Sequence, residues 1–511
     1  MANKIDSNIT GLRFAEEVSL KTLPGSPVWY PLEPNSYSDF GGQIKTVARN
    51  PINPTRQRKK GVTTDLDASG GFNTDLTLTN MTRLLQGIFF ADIREKKTTA
   101  PMNTTADTVS TINTGTKTFT VSAGGTGFLA NNLVMGANFG VAANNGIFTV
   151  ASSTATTVVT SETPSAETPP ANASLTVVGH QFPSADASIV MNGDLVRLQS
   201  AGVNMTTLGL IAGEWIYLGG DAAATTFNSV NKGFARIGTI TNTYIEFDKV
   251  SWTGAVADVG TGKTIRIFFG SVLRNETTAA LIKRRTYQLE RTLGDDGSGV
   301  QSEYLVGAVP NEFTLNIAQA DKATCDVTFV AVDNETRTGA IGVKSGTRPT
   351  LVNSAAFNTS SDITRIKLAS VSATDPAPTA LFAFATEMKL TIKNNVSPNK
   401  AIGTLGAFDT SVGTFEVGGS LTAYFASVAA AAAVRNNSDI TIDILMQKKN
   451  SALLWDVPLL SLGDGRLSVE QDQPITIPLE TNAAESKFGN TLLFQYFMYL
   501  PDVAGDRKSV V

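Results

Sequence analysis

Apolar and polar residues alternate with a period of two over much of this chain, in short runs bounded by Gly, Asn or Pro. Residues 117–121, 147–150, 244–247, 264–269, 312–317, 326–332 and 439–445 carry the pattern. Runs of this kind, rich in Val, Ile, Thr and Phe, predict strands with one face buried. A period near 3.6 occurs in two places. Over residues 80–90, Met81, Leu84, Leu85, Ile88 and Phe89 share one face, with Asn80 placed as an N-cap. Over residues 423–435 an alanine run brings high helix propensity. The pattern predicts a mainly β protein with a few helices.

Comparing the chain with itself adds organisation. The stretch from Val47 to Pro54 and the stretch from Thr391 to Pro398 both follow a strand pattern and enter a loop at an Asn. Each is followed by a glycine–aromatic pair, at Phe72 and at Phe415, then by a Leu-Thr segment and one of the helices. The order predicts two tandem copies of one domain. A second repeat lies between them: 145–150, 157–159 and 174–179 match 232–237, 244–246 and 264–270 in order and spacing. The expected division is a first copy at 1–104 and 271–345, inserted β modules at 105–180 and 181–270, and a second copy at 346–511. Insertions at surface loops cost little stability, so the insert is expected to project outward.

Composition then narrows the function. Charged residues make up 17% of the chain and the net charge is −4, where soluble domains usually carry about 25% charged residues. A polar but sparsely charged surface suits extensive protein–protein contact. The slight acidity argues against a duplex-binding protein, which would carry a basic excess. The single cysteine, Cys325, excludes an intrachain disulfide and reads as a small buried apolar residue. The first residues lack the apolar run of a signal peptide, and no segment approaches the ~20 apolar residues of a membrane span.

Candidate chemistry is sparse. His180 is the only histidine, so nucleophilic triads and His/Cys zinc sites have little to draw on; it reads as a loop residue in a Pro-containing linker. The sequence from Gly260 to Thr264 ends like a phosphate-binding loop, but Ala257 stands where the first glycine belongs and a strand pattern follows. It reads as a hairpin turn. Asp464-Gly465 and Asp295-Asp296-Gly297 lack the continuing acids of a calcium loop and read as tight turns. The densest basic cluster is Arg56, Arg58, Lys59 and Lys60, with Arg49 nearby. It fits a solvated loop, a salt-bridged contact with a neighbouring subunit, or contact with DNA. No catalytic, cofactor or metal residues are assigned, and the chain does not read as an enzyme.

The segment from Tyr30 to Gly41, followed by Val47–Ile52, by Arg56-Gln57-Arg58-Lys59-Lys60-Gly61 and by 65–72, resembles the tail-tube proteins of bacteriophages with long non-contractile tails (siphovirus type). The likeness covers residues 25–95 and 271–335 and does not extend to the insert. It implies a β-sandwich flanked by a helix, with subunits joining sheets side by side into rings that stack into a tube. It further implies that the loop at 50–70, with Arg49, Arg56, Arg58, Lys59 and Lys60, reaches the adjacent ring. Two tube domains per chain imply homotrimeric rings with pseudo-six-fold symmetry, the alternative being a homohexamer. Other implied partners are the tape measure, terminator and distal tail proteins. Phage DNA would pass through the lumen without specific binding, with no cofactor and no membrane. The implied place is the virion tail, after assembly in the host cytoplasm. A different class, a surface adhesin or carbohydrate-binding protein, is favoured by the 105–270 modules taken alone. A tail-associated hydrolase would need a pair of carboxylates that spacing cannot locate.

Overall fold

The computed structural model describes residues 5–501 apart from 53, 296, 298, 383 and 426. Asp296 of the 295–297 segment therefore lies outside the described residues. In chain order the chain begins with strands β1 (Gly11–Glu16), β2 (Tyr30–Leu32), β3 (Pro34–Arg49) and β4 (Lys59–Asp75), then helix α1 (Thr82–Phe89). Next come β5 (Val109–Asn113), β6 (Thr118–Val121), β7 (Asn132–Ala137), β8 (Ile147–Ser153), β9 (Thr157–Thr160) and β10 (Ser174–Gln181). They are followed by β11 (Ser188–Asn192), β12 (Leu195–Gln199), β13 (Trp215–Leu218), β14 (Gly233–Ile240), β15 (Tyr244–Val250) and β16 (Arg266–Phe269). Then β17 (Ser271–Arg274), β18 (Tyr287–Asp295), β19 (Val300–Ala318), β20 (Thr324–Ala331) and β21 (Asp333–Arg337) lead to β22 (Ile363–Ser370) and β23 (Ala385–Lys393). The chain continues through β24 (Ser397–Lys400), β25 (Ala407–Ser411), β26 (Glu416–Tyr424), α2 (Ala429–Arg435), β27 (Ile440–Lys448), β28 (Ser451–Asp464), β29 (Thr476–Ala483) and β30 (Leu493–Phe497). The protein is mainly β.

The strand order β3-β4-β20-β19 recurs as β23-β26-β29-β28, and the two runs join where β19 pairs with β23, from Glu312 opposite Lys393 to Ala318 opposite Glu387. A second layer repeats as well, β1-β18-β19 in the first half and β22-β27-β28 in the second, with a helix preceding β18 and β27 in turn. The likeness extends to an irregularity. The register shift between Pro34 and Ser36 in β3 has its counterpart between Ala385 and Glu387 in β23. Counting from that shift, Phe72, opposite Tyr37, corresponds to Leu421, opposite Met388. The sequence comparison had set Phe72 beside Phe415; the strands, unlike the loops, allow no slack in register.

Between the layers lies one apolar core. Phe313, Leu315, Leu390, Ile392 and Leu479 meet Leu289, Ile442, Ile444 and Trp455 there, with Leu84, Leu85, Ile88 and Phe89 of α1 closing one side. Trp455 stacks on Phe313 at 5.6 Å between ring centres. Each such fully buried side chain contributes about 1.5–3 kcal/mol relative to exposure. Both helices are shorter than the sequence predicts. Asn80 does not cap α1; its amide closes the preceding turn, accepting from Thr77 N at 3.1 Å and donating to Asp75 O at 2.7 Å. Ala423 and Tyr424 belong to β26, because pairing with β29 outweighs alanine's helix preference.

The strands from β5 to β16 form a sheet of their own. Outward from its central β10–β16 pair, the order β10-β7-β8-β9-β6-β5 on one side matches β16-β13-β14-β15-β12-β11 on the other. A continuous core through Phe119, Phe148, Val177, Phe182, Ile216, Phe247 and Ile267 unites the halves. His180 corrects its sequence reading. It is no loop residue but lies in β10, opposite Ile267 across the central pair, 3% exposed. The adjoining linker hides it because β10 runs on to Gln181. Burial pushes its pKa down to about 4, with Asp186 partly opposing the shift. The Gly260–Thr264 segment is a turn, closed by Lys263 N donating to Gly260 O at 3.0 Å.

This insert is fixed to the second half of the main sheet. Trp215, Tyr217, Phe234 and Phe268 pack on Leu445, Leu454, Leu493 and Phe497 of β27, β28 and β30. Beside that contact, Arg236 reaches Asp456 at 3.2 Å and Asp248 at 2.9 Å, and Lys249 reaches Asp443 at 2.5 Å. Arg365 of β22 also pairs with Asp443. Burial alone would raise the Asp443 pKa, but Arg365 and Lys249 hold it well below the ordinary carboxylate range. β17, which leaves the insert, pairs with β30 and so extends the same layer.

Two measurements check this account. Asp443→Asn leaves Lys249 buried without its counter-charge and should cost about 3–5 kcal/mol in urea denaturation followed by tryptophan fluorescence; an unchanged midpoint would remove the ion network from the anchor. His180 stays neutral in the folded chain, while the unfolded chain takes up a proton below about pH 6.5. Stability should therefore fall as pH drops through 6.5 toward 4 and level off below. Between pH 7 and 5 the wild type should lose about 2 kcal/mol relative to His180→Gln.

Candidate functional site

Strict alternation gives the β3-β4-β20-β19-β23-β26-β29-β28 sheet two different faces. Phe72, Val327, Leu315, Leu390, Leu421 and Leu479 point into the core, and their sequence neighbours point away. The outward residues are hydroxyls, amides and charges: Ser69 and Asn73 on β4, Thr328 on β20, Thr314 and Asn316 on β19, Thr391 on β23, Ser420 on β26 and Asn482 on β29. Hydrogen bonds cross between strands on this face. Asn73 and Asn316 both donate to Asp326, each at 2.7 Å, and the Thr314 and Thr391 hydroxyls meet at 3.2 Å. Carboxylates outnumber lysines here; a shallow groove, for instance, is lined by Glu312, Glu416 and Glu480 with Lys393.

The sheet ends openly on both sides. β3 pairs only with β4, and the last residues of β28 pair with β29 alone among the described residues. At Asp464 and Gly465 the backbone turns through positive φ (58° and 80°); beyond this turn Ser468 bridges Thr476, and Leu467 and Val469 are exposed. Unpaired edges of this kind are templates for another chain.

The β3–β4 hairpin projects beyond the body of the sheet. The sequence reading made 50–70 a loop; instead β4 begins at Lys59 and only the turn near Arg56 is irregular, in part because Arg56 adopts a positive φ of 59°. The structure gathers Arg49, Arg56, Arg58, Lys59 and Lys60 at the distal end, all exposed, with Arg49 directly opposite Lys59. Six cations and no carboxylate lie within 40–64. Like charges facing each other across strands are unfavourable by themselves, so this end suits an anionic partner surface. Ile44, Val47, Ile52 and Val62 are exposed along it.

A second hairpin, β24–β25, went unpredicted. It lies against the base of the first, where Lys400 pairs with Asp65 at 2.7 Å and also with Asp67, which Lys45 contacts from the other side. Hydrogen bonding to Lys400 lowers the pKa of both carboxylates. Its apolar tip residues, Ile402 and Leu405, are exposed. The available signal was the Ile402 and Leu405 pair within a loop of small residues. Cys325 is buried in the core, and burial raises its pKa. No group of metal-ligating side chains, and no helix long and apolar enough to cross a membrane, occurs among the described residues.

A family model described as phage tail tube protein matches residues 7–224 and again residues 207–483. No curated protein sequence matches the chain.

Limited trypsin treatment of the unassembled protein should cut first after Arg56, Arg58, Lys59 or Lys60, read by mass spectrometry. First cuts within the sheet body instead would mean that the hairpin is not the projecting element.

Proposed function

The chain belongs to the phage tail tube protein family, and from that premise we propose that it closes into rings through the open edges of its sheet and that these rings stack into a conduit for DNA. Family membership makes it a structural component of the virion tail and a self-assembling partner of other tail proteins, not an enzyme. The reading of the ring rests on one observation: a polar sheet whose two ends are both unpaired among the described residues, while its halves are already joined by the β19–β23 pairing. Repeating that joint between chains would satisfy each edge and leave none to aggregate.

We read residues 1–104 with 271–345, and 346–511, as two copies of one tube domain, and 105–180 and 181–270 as the inserted modules. Three chains then give a ring with six domains and pseudo-six-fold symmetry. The hydroxyl-, amide- and carboxylate-bearing face would line the channel. Such a wall does not retain phosphates, as a basic one would, so DNA can slide past it unbound. Stacked rings are heterologous contacts, which propagate until capped. The hairpin end with Arg49, Arg56, Arg58, Lys59 and Lys60 would reach the next ring and meet carboxylates there.

Concentrated protein should form hollow rods in negative-stain microscopy; a monodisperse monomer under every condition tried would count against the ring. Reversing the hairpin charge with R56E/R58E/K59E/K60E should preserve rings and abolish rods. Rods of undiminished length would take the hairpin out of the stacking contact.

A further inference from the structure

The joint inside the chain supplies a ruler for the joint between chains. Asn316 pairs with Thr324 on β20, and Thr324 pairs with Asp75 on β4. In the second half, Ser468 bridges Thr476 on β29, and Thr476 pairs with Tyr424 at the same end of β26. Ser468 is thus the counterpart of Asn316, which makes Leu467 and Val469 the counterparts of Leu315 and Ile317. Their burial differs sharply. Leu315 and Ile317 are 0% and 6% exposed, Leu467 and Val469 42% and 70%. Beside the first pair, which faces the core, lies β23, where Asn316 faces Lys389 and Ile317 faces Met388. Nothing covers the second pair among the described residues.

The same counting finds the counterpart of β23. Lys389 pairs with Ser420 as Ser38 pairs with Gly71, three rungs from the shared register shift in each half. Ser38 therefore corresponds to Lys389 and Tyr37 to Met388.

We propose that segment 466–470 of one copy, beyond the turn at Asp464-Gly465, pairs antiparallel with residues 36–41 of β3 in a second copy, with Ser468 opposite Ser38 and Val469 opposite Tyr37. The inference rests on the ring reading above and specifies its partner surfaces. Leu467 then meets Phe40, across the irregularity between Ser38 and Gly41, as Leu315 meets Leu390 within the chain. Tyr37 and Phe40 are half-buried against the core, in contact with each other and with Arg291, and keep part of their surface exposed. Charge agrees independently. Asp39 is the only charged residue within 34–44, and Arg466 the only cation within 450–486. The register brings Arg466 opposite Gly41, two residues from Asp39, within diagonal reach.

The test is S38C/S468C, two near-isosteric changes at exposed positions, assembled and then treated with a mild oxidant. A disulfide needs Cβ atoms about 4 Å apart. The expected result is a ladder of covalent oligomers on denaturing gels, absent with Q43C/S468C, in which the cysteines sit four rungs, roughly 14 Å, out of register. D39R and R466D should each reduce ring yield at least tenfold, and D39R/R466D together should restore it. Wild-type rings accompanied by no S38C/S468C ladder, or by a ladder from Q43C/S468C alone, would overturn the register while leaving the ring intact. A wild type that never forms rings would overturn the ring reading and this junction with it.

Discussion

A β-sheet cannot stop without leaving a row of backbone N–H and C=O groups unmatched, and this molecule is organised around where its rows fall. Inside the chain, the edge that β19 would present is taken by β23, seven consecutive residue pairs long. Everything else in the main body supports that joint. The two layers hold one core between them, Phe89 of α1 lies 5.9 Å from Phe415 across the joint, and the Asn394 side chain donates to the backbone of both Ile88 and Pro310. A polypeptide that solves its edge problem once, and then presents the same unsolved pair of edges at its two ends, is shaped for addition of like to like.

The two halves are alike in their inner sheet and unlike outside it. In the first half, the outer face of β1, β18 and β19 is covered by the chain's own short segments: Trp29 packs on Tyr304, and Arg348 pairs with Glu290 at 2.5 Å. In the second half the same position is occupied by the twelve-stranded insert, with buried Asp443 and Asp456 answering Lys249 and Arg236. Buried carboxylates in equivalent layers thus serve two different coverings. A ring built of such chains would carry its outward modules on alternate domains only.

Much of this organisation was legible in the sequence because period-two patterning is a local signal. The predicted strands are present, but pairing sets their ends: β16 starts two residues later than the pattern, and β19 starts at Val300, twelve residues before it. Features set by distant partners were not legible. Ala423 looks helical until β29 claims it, and His180 looks like a linker residue until Ile267 lies across from it. Residues 50–70 look like a loop because the distal hairpin buries neither face, so its few apolar residues form no buried, alternating stripe. The five cations were legible as a group, for charge needs no fold to be counted. The open edge at 466–470 was missed. Its Leu467-Ser468-Val469 alternation is too short to stand out without the partner strand that would complete it.

The anchoring of the insert has a consequence for how such decorations change hands. Although its residues interrupt the first half of the chain, its footing is on the second: β27, β28 and β30 supply the apolar floor and the two carboxylates beneath it. Transplanting 105–270 into a relative would strand Arg236 and Lys249 over foreign ground. Exchange by recombination would have to carry a distant stretch of the gene along with it, so ornament and foundation are inherited together.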